Sequence, residues 1–282
     1  MVLGAGGQLG TELVRLLPES STIACTRCDL DICDADTVDA VLAKHRPSVV
    51  FNCAAYVDVE RAEDEKDEAF EVNGHAVKTL ALTCCRSDIT LVHISTDYVF
   101  DGEKGVPYFE VDEPDPISVY GQSKRFGEQS LLLHCQKYFL VRSSALYGAG
   151  GSRAKGGSFV DRVLKRARAG EKLRVVEDQI TAPTWTRDLA AKILELVETR
   201  SHGLYHISNV GECSWHEFTE AIIQLSGLDV DVEPVSSSDF AAKARRPAYS
   251  VLENTMIRGV GLCQLRHWRD ALTDYLATRM GG

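Results

Sequence analysis

Residues 2–17 read VLGAGGQLGTELVRLL. Three glycines, Gly4, Gly7 and Gly10, lie between a short apolar stub and a stretch whose Leu9, Leu13, Leu16 and Leu17 share one helical face. Glycines at this spacing allow a tight turn and a close backbone approach, and a helix starting on them offers unpaired N–H groups to a diphosphate. Taken alone, the pattern fits a structural turn equally well; the rest of the chain decides between the two. The apolar runs TIAC (22–25), SVVFNCA (48–54), TLVHIS (90–95), YFLVRS (138–143) and GLYHIS (203–208) alternate with longer amphipathic segments, the signature of repeated βαβ units. Between the first two, DADTVDAVLAKH (34–45) sets Val38, Val41, Leu42 and His45 at helical spacing behind acidic residues, and Pro47 stops the helix. Continuous apolar strands imply a parallel sheet with helices on both faces, so the expected fold is a doubly wound α/β Rossmann domain. Only three residues precede Gly4, so the first strand is short and the native start is expected upstream of Met1.

The chain's bulk properties narrow the function classes. At 282 residues and 44% hydrophobic content it can form one large domain or two small ones. There is no apolar run of about 18 residues and no basic leader, so the expectation is a cytoplasmic protein without a membrane span. Nine cysteines sit in apolar runs and are expected to remain thiols. Cys25, Cys28 and Cys33 cluster, but no matching His or Cys pair follows at zinc spacing, so no metal is expected. A net charge of −10 argues against a nucleic-acid partner, and any phosphate-bearing ligand must be held by local devices. Composition shifts at YGAGGSRAKGGS (147–158), a glycine-rich, cationic loop expected to mark a domain junction.

Candidate chemistry lies at the ends of the apolar runs. After the second strand comes TRCDLDICD (26–34). Arg27 there suits the 2′-phosphate of NADP, and Asp31 and Ile32 could flank the adenine. HISTDYVFDG (93–102) puts Ser95 and Thr96 at a strand's C-terminal end, where open α/β sheets bind ligands. In SVYGQSKRFGEQ (118–129), Tyr120 and Lys124 stand four apart and share a helix face. A phenol has a reference pKa of about 10, so as a general acid near neutrality it needs a nearby cation to stabilise its phenolate. Lys124 can supply that charge.

Gly4, Gly7 and Gly10, Thr96 and the Tyr120/Lys124 pair resemble an extended short-chain dehydrogenase/reductase. Within that superfamily, FNCAAYVDVERAED, VHISTDYVFDG, VYGQSKRFGEQ, VVEDQITAPTWTRDLA and RRPAYS resemble the dTDP-4-dehydrorhamnose reductase family along nearly the whole chain. The resemblance implies a nicotinamide-dependent reduction of a nucleotide-linked 4-keto-6-deoxysugar. By it Thr96 would hydrogen-bond the keto oxygen and Tyr120 would protonate it, while Lys124 would hold the nicotinamide ribose and depress the tyrosine pKa. Gly4, Gly7, Gln8, Leu9, Gly10, Ala54, Ala55 and Tyr56 would line the cofactor, and Asn73 would brace the strand ends beside it. The implied sugar-nucleotide contacts are Asp97, Tyr98, Gln179, Thr184 and Arg246. The cofactor implied is NADPH, with NADH as the alternative, and a homodimer is compatible with the resemblance.

Three departures bear on the substrate. The family usually has tryptophan where this chain has Ala145, a position the resemblance puts beside the sugar nucleotide. It tends to have asparagine where this chain has Ser158, and the loop between them, with Arg153 and Lys155, is longer than usual. The expected division is a nucleotide-binding domain over 1–146, to which 185–208 returns, and a smaller α/β substrate domain from 147–184 and 209–282. His206 and His216 are expected to be structural. Two other readings stay open: a reductase for another nucleotide 4-ketosugar, and a catalytically silent NADP-binding regulatory subunit similar to the β subunit of methionine adenosyltransferase.

Overall fold

The structure is a computed structural model that describes residues 1–150 and 157–280. The first half runs β1 (Val2–Leu3), α1 (Gln8–Leu16), β2 (Ala24–Cys25), α2 (Ala35–His45), β3 (Val49–Asn52), α3 (Val59–Ala62), α4 (Lys66–Phe70), α5 (Ala76–Arg86), β4 (Thr90–Thr96), α6 (Val119–His134) and β5 (Tyr138–Ser143). Then follow β6 (Leu146–Tyr147), α7 (Phe159–Arg168), β7 (Leu173–Val176), β8 (Ile180–Thr181), β9 (Thr184–Trp185), α8 (Thr186–Thr199) and β10 (Gly203–His206). The chain ends with β11 (Cys213–Ser214), α9 (Trp215–Leu225), β12 (Val232–Val235), α10 (Thr255–Gly259) and α11 (Trp268–Met280).

Among the described residues, six strands form one parallel sheet in the order β2-β1-β3-β4-β5-β10. All five expected apolar runs contribute a strand to it, and the segment holding β10 pairs with β5. Successive side chains of a strand point to opposite faces, and the core divides accordingly. Leu3 and Leu91 pack with Val38, Leu42, Leu80 and Leu131 on one face. Their neighbours Val2 and Val92 pack with Leu9, Leu13, Leu189 and Ile193 on the other. The chain passes from β2 back across β1 to β3, so the order reverses there and a crevice opens at the carboxyl ends of the strands.

A separate apolar cluster joins Tyr147, Leu164, Trp185, Phe218, Trp268 and Tyr275. It is served by α9, whose Ser214 cap and Glu217 complete a reciprocal capping box. β12 pairs in parallel with β7. Among the described residues no helix is long and apolar enough to cross a membrane.

Candidate active site

At the amino end of α1 the backbone itself makes the site. Gly4 has φ +71°, and a Cβ there would lie 2.7 Å from Ala54 N, so the turn presses directly on the loop after β3. A Cβ on Gly10 would lie 2.3 Å from Gly4 O. Gly7 caps α1 without any side chain on the first-turn N–H groups, which leaves those donors pointing out of the helix end. The buried Oε1 of Gln8, the first residue of α1, has no partner. A bare helix end, a turn that only glycine fits and an orphaned polar atom beside it are together suited to a dinucleotide diphosphate.

The loop after β3 is pinned from below. Ala54 N donates to Asn52 Oδ1 at 3.2 Å. Asn73 accepts from Tyr56 N at 2.9 Å and donates to Tyr56 O and Ser123 Oγ, each at 3.0 Å. It stands in a wide helical turn over Glu71–His75, so one amide ties the loop carrying Ala55 and Tyr56 to α6. The Tyr56 hydroxyl donates to Glu65 at 2.5 Å.

Beyond β2 the expectations divide. Arg27 is 75% exposed and pairs with Asp31 at 3.3 Å, so its fork is free to turn outward. Asp31 also accepts from Cys33 N at 3.0 Å, a bond that, with Arg27, holds its carboxyl below the usual range. Ile32 does not lie open to an adenine: its side chain is buried in the core with Leu30, Val38 and Leu42. Its apolar character serves the sheet face instead.

Thr96, Asp97, Tyr98 and Tyr120 converge where β4 ends. Thr96 pairs with Ser143 of β5, donates to Asp97 Oδ1 at 2.9 Å and accepts from Tyr98 N at 3.2 Å. The rings of Tyr98 and Tyr120 meet edge to face, 5.8 Å apart at 76°. α6, which presents Tyr120, starts on two side-chain bonds: Ser118 Oγ accepts from Gly121 N at 3.2 Å, and Glu63 accepts from Val119 N at 2.9 Å. One turn on, Lys124 is only 2% exposed and its Nζ donates to Ile94 O at 2.6 Å.

Burial dominates the electrostatics. It pushes the Tyr120 phenol up to about 12, against a hydrogen bond with Thr96 that favours the phenolate; the charge on Asp97 adds to the rise. Burial pulls Lys124 down to about 8. The Asp97 carboxyl is raised to about 6 by burial, opposed by hydrogen bonds from Ser250 and Thr96. Expected from the sequence was a lysine lowering the tyrosine's pKa; here the opposing stabilisation comes from the Thr96 hydroxyl.

Arg246 reaches this group from the far end of the chain. Its guanidinium hydrogen-bonds Tyr98 and pairs with Glu60 of α3 at 2.5 Å.

The family is decided by the whole chain. Residues 1–280 match the family described as the RmlD substrate binding domain. The chain belongs to that family. It is 42% identical to the spore coat polysaccharide biosynthesis protein SpsK of Bacillus subtilis, covering 99% of this chain and 97% of that protein. It is 40% identical to a dTDP-4-keto-6-deoxy-D-glucose reductase of Streptomyces niveus, covering 97% and 95%. Among solved structures it resembles the dTDP-4-dehydrorhamnose reductase of Bacillus anthracis in complex with NADP, with a TM-score of 0.93, 37% identity and 98% of both chains covered.

The remaining residues that the sequence offers for an RmlD-type substrate separate by environment. Ala145 has φ +44° and its carbonyl accepts from Thr184 N at 3.3 Å, so these two are neighbours. The Thr184 hydroxyl, however, is 0% exposed, donating to Ala182 O at 3.1 Å and accepting from Asn209 N at 3.3 Å. It holds the loop together and leaves nothing free for a ligand. Gln179 is partly exposed, with its carbonyl accepting from Trp215 N at 3.3 Å. Ser158 is buried as the N-cap of α7 in a capping box with Asp161, so the structure gives it a local role. Arg153 and Lys155 lie outside the described residues.

Two participants escape the sequence reading. Ser250, on Asp97, ends the same RRPAYS stretch as Arg246, and Glu60 lies in VDVERAED; in both cases the signal is a motif already singled out. His206 is fully buried, its Nδ1 3.1 Å from Tyr108 O, and burial lowers its pKa to about 3. His216 Nε2 lies 3.1 Å from Val232 O. Both have structural partners.

Proposed function

We propose that this chain is an NADPH-dependent reductase that converts the 4-keto group of a dTDP-linked 6-deoxysugar to the alcohol, with dTDP-4-dehydro-L-rhamnose as substrate and dTDP-L-rhamnose as product. The observation that carries this reading is the meeting of Thr96, Tyr98 and Tyr120 at the carboxyl end of β4, above a buried Lys124. Gly4, Gly7, Gln8, Leu9, Gly10, Ala54, Ala55, Tyr56 and Asn73 hold the cofactor, and Arg27 favours its 2′-phosphate form. Bound there, the nicotinamide supplies the hydride.

The protein's own part is proton delivery and orientation. Tyr120 stays protonated at working pH because its phenol is raised to about 12, and it gives that proton to the carbonyl oxygen as negative charge develops. The Thr96 hydroxyl, which in this structure donates to Asp97, stabilises the phenolate left behind by turning its proton to it. Lys124, charged below about pH 8, holds the cofactor ribose. Asp97 and Tyr98 border the sugar, with Gln179 and the Ala145 turn further along the cleft, and Arg246 meets the diphosphate. On this reading residues 1–146 with 185–208 bind the nucleotide cofactor, and 147–184 with 209–282 bind the substrate. The protein works in the cytoplasm, as a homodimer.

The test is NADPH consumption with dTDP-4-dehydro-L-rhamnose and product identification by NMR. Turnover to dTDP-L-rhamnose is expected; binding of NADPH without consumption on any ketosugar would return the chain to the regulatory-subunit reading. A second substrate has one specific observation behind it. The Streptomyces niveus relative is named for dTDP-4-keto-6-deoxy-D-glucose, so that sugar belongs in the same assay. Faster turnover of it would move the substrate, and not the chemistry.

A further inference from the structure

We propose that Glu128 is a positioning residue for Lys124: clamped by Arg142 in the core, its carboxylate is the counter-ion that keeps the buried ammonium charged. The inference rests on the proposed role of Lys124 and adds a residue which that role does not use.

Glu128 follows Lys124 by one turn of α6, so the two side chains share a face. Both are sealed from water, at 2% exposure for Lys124 and 0% for Glu128. The carboxylate is held on every side. Arg142 of β5, 1% exposed, donates from Nε to Oε1 and from Nη2 to Oε2, each at 2.8 Å, and Arg125 Nη1 donates to Oε2 at 3.1 Å. Arg142 is itself packed over the Phe100 ring at 5.1 Å, with His206 at 3.5 Å.

A buried ion pair is poor evidence for stability, because desolvation offsets its attraction and an apolar pair of the same volume often serves as well. What this pair does have is a neighbour that needs an anion. A desolvated ammonium tends to lose its proton. The groups around Lys124 leave few candidates to prevent that. From β3 comes Cys53, which would help only as a thiolate, yet burial pushes it up to about 12, so it stays neutral. From β4 comes His93, kept neutral by burial and by the lysine itself. Three carboxylates of the 58–68 segment are engaged elsewhere: Glu63 on Val119 N, Glu65 on Tyr56 and Glu60 on Arg246. Asp97 acts on Tyr120 and Tyr98. Glu128 is the leading charge that raises Lys124 against burial, and Arg142 and Arg125 keep Glu128 ionised.

Lys124 has a lowered pKa of about 8, so its charge is complete below that pH and is lost as pH rises through it. Tyr120, raised to about 12, loses its proton later, and the alkaline limb of kcat/KM therefore reports the lysine. Removing the Glu128 charge lowers Lys124 further and moves that limb to more acid pH.

The experiment uses full-length enzyme, NADPH and dTDP-4-dehydro-L-rhamnose across pH 6 to about 10. Glu128→Gln strands Arg142 without a partner and can destabilise the fold, so the informative variant is Glu128→Gln with Arg142→Met, which removes both charges at similar volume. A limb displaced acidward by about one pH unit or more, in protein with a normal melting transition, supports the proposal. An unmoved limb in that folded double variant overturns it and makes the pair purely structural. A double variant that will not fold also overturns it, since the pair is then a requirement of the core. Lys124→Met separates the two levels: loss of the limb confirms that it belongs to the lysine, whereas a persistent limb removes Lys124 from the reaction and takes the underlying reading with it.

Discussion

Replacing Tyr120 by phenylalanine removes one hydroxyl from a site that is otherwise built of backbone and neighbours. The phenol is raised to about 12, so it is a proton donor throughout the working range and turnover should fall on the order of 10²–10⁴-fold without it. NADPH affinity should hardly change, because the glycine turn and α1 are untouched; a titration of NADPH fluorescence beside the turnover measurement checks both halves. Wild-type turnover in that variant would remove the acid assignment. Cofactor choice is decided at the same scale. Arg27 is exposed and its pair with Asp31 spans 3.3 Å, a contact worth little in water, so a phosphate monoester can take its place at small cost. Arg27→Ala should weaken NADPH by on the order of tenfold and leave NADH nearly unchanged. Equal losses for both cofactors would make Arg27 a plain surface cation. The residue types and their spacings are readable in the sequence here, but their protonation is not. The lysine expected to lower the tyrosine's pKa is itself discharged toward about 8 by burial, and burial is a property of the packed state that no spacing encodes.

Elements explain why the strands are legible and some side chains are not. Each of the five apolar runs forms a strand because period and composition are local signals. Ile32 and Thr184 go the other way: the first fills the core under the sheet and the second is consumed by Ala182 O and Asn209 N. Their fates depend on partners well removed along the chain, such as Asn209, which a motif cannot supply. Glycines in α6 carry the same lesson. A Cβ on Gly127 would lie 2.1 Å from Asn73 O, so the helix bearing Tyr120 and Lys124 sits backbone to backbone on the turn that braces Tyr56. The amino end of α1 offers a clean test of such packing. At Gly10 a Cβ would come within 2.3 Å of Gly4 O, whereas at Gly6 the nearest atom is the Thr26 methyl carbon at 3.8 Å. Gly10→Ala should therefore destabilise by about 2 kcal/mol or more and abolish NADPH binding, while Gly6→Ala should leave the melting temperature and the binding isotherm unchanged. Equal behaviour of the two variants would mean that the turn relaxes freely and does not define the cofactor site.

At the scale of the whole molecule, a protein of net charge −10 must hold a substrate that carries a diphosphate. Bulk charge repels such a ligand, so binding depends on a local cation. Arg246 fits that need by position. It is contributed by the C-terminal half yet pairs with Glu60 of α3 and acts on the Tyr98 phenol at the carboxyl end of β4. Nearby, Lys243 pairs with Asp64 at 2.5 Å, but both side chains are about 60% exposed, and such a pair contributes little in water. The two cations therefore make opposite predictions. Arg246→Met should raise KM for the dTDP-sugar at least about tenfold, since a hydrogen-bonded charge contributes roughly 1.5–3 kcal/mol. Its kcat should change little, because a contact equally present in ground and transition states is uniform binding. NADPH affinity should be unaffected. Lys243→Met should alter neither KM nor the melting temperature measurably. Salt supplies the independent check: raising ionic strength screens an exposed phosphate contact, so KM of the wild type should climb with salt while that of Arg246→Met stays comparatively flat. Parallel salt curves for the two proteins would mean that the diphosphate is held elsewhere, and that Arg246 serves only to fasten the C-terminal half of the chain to α3.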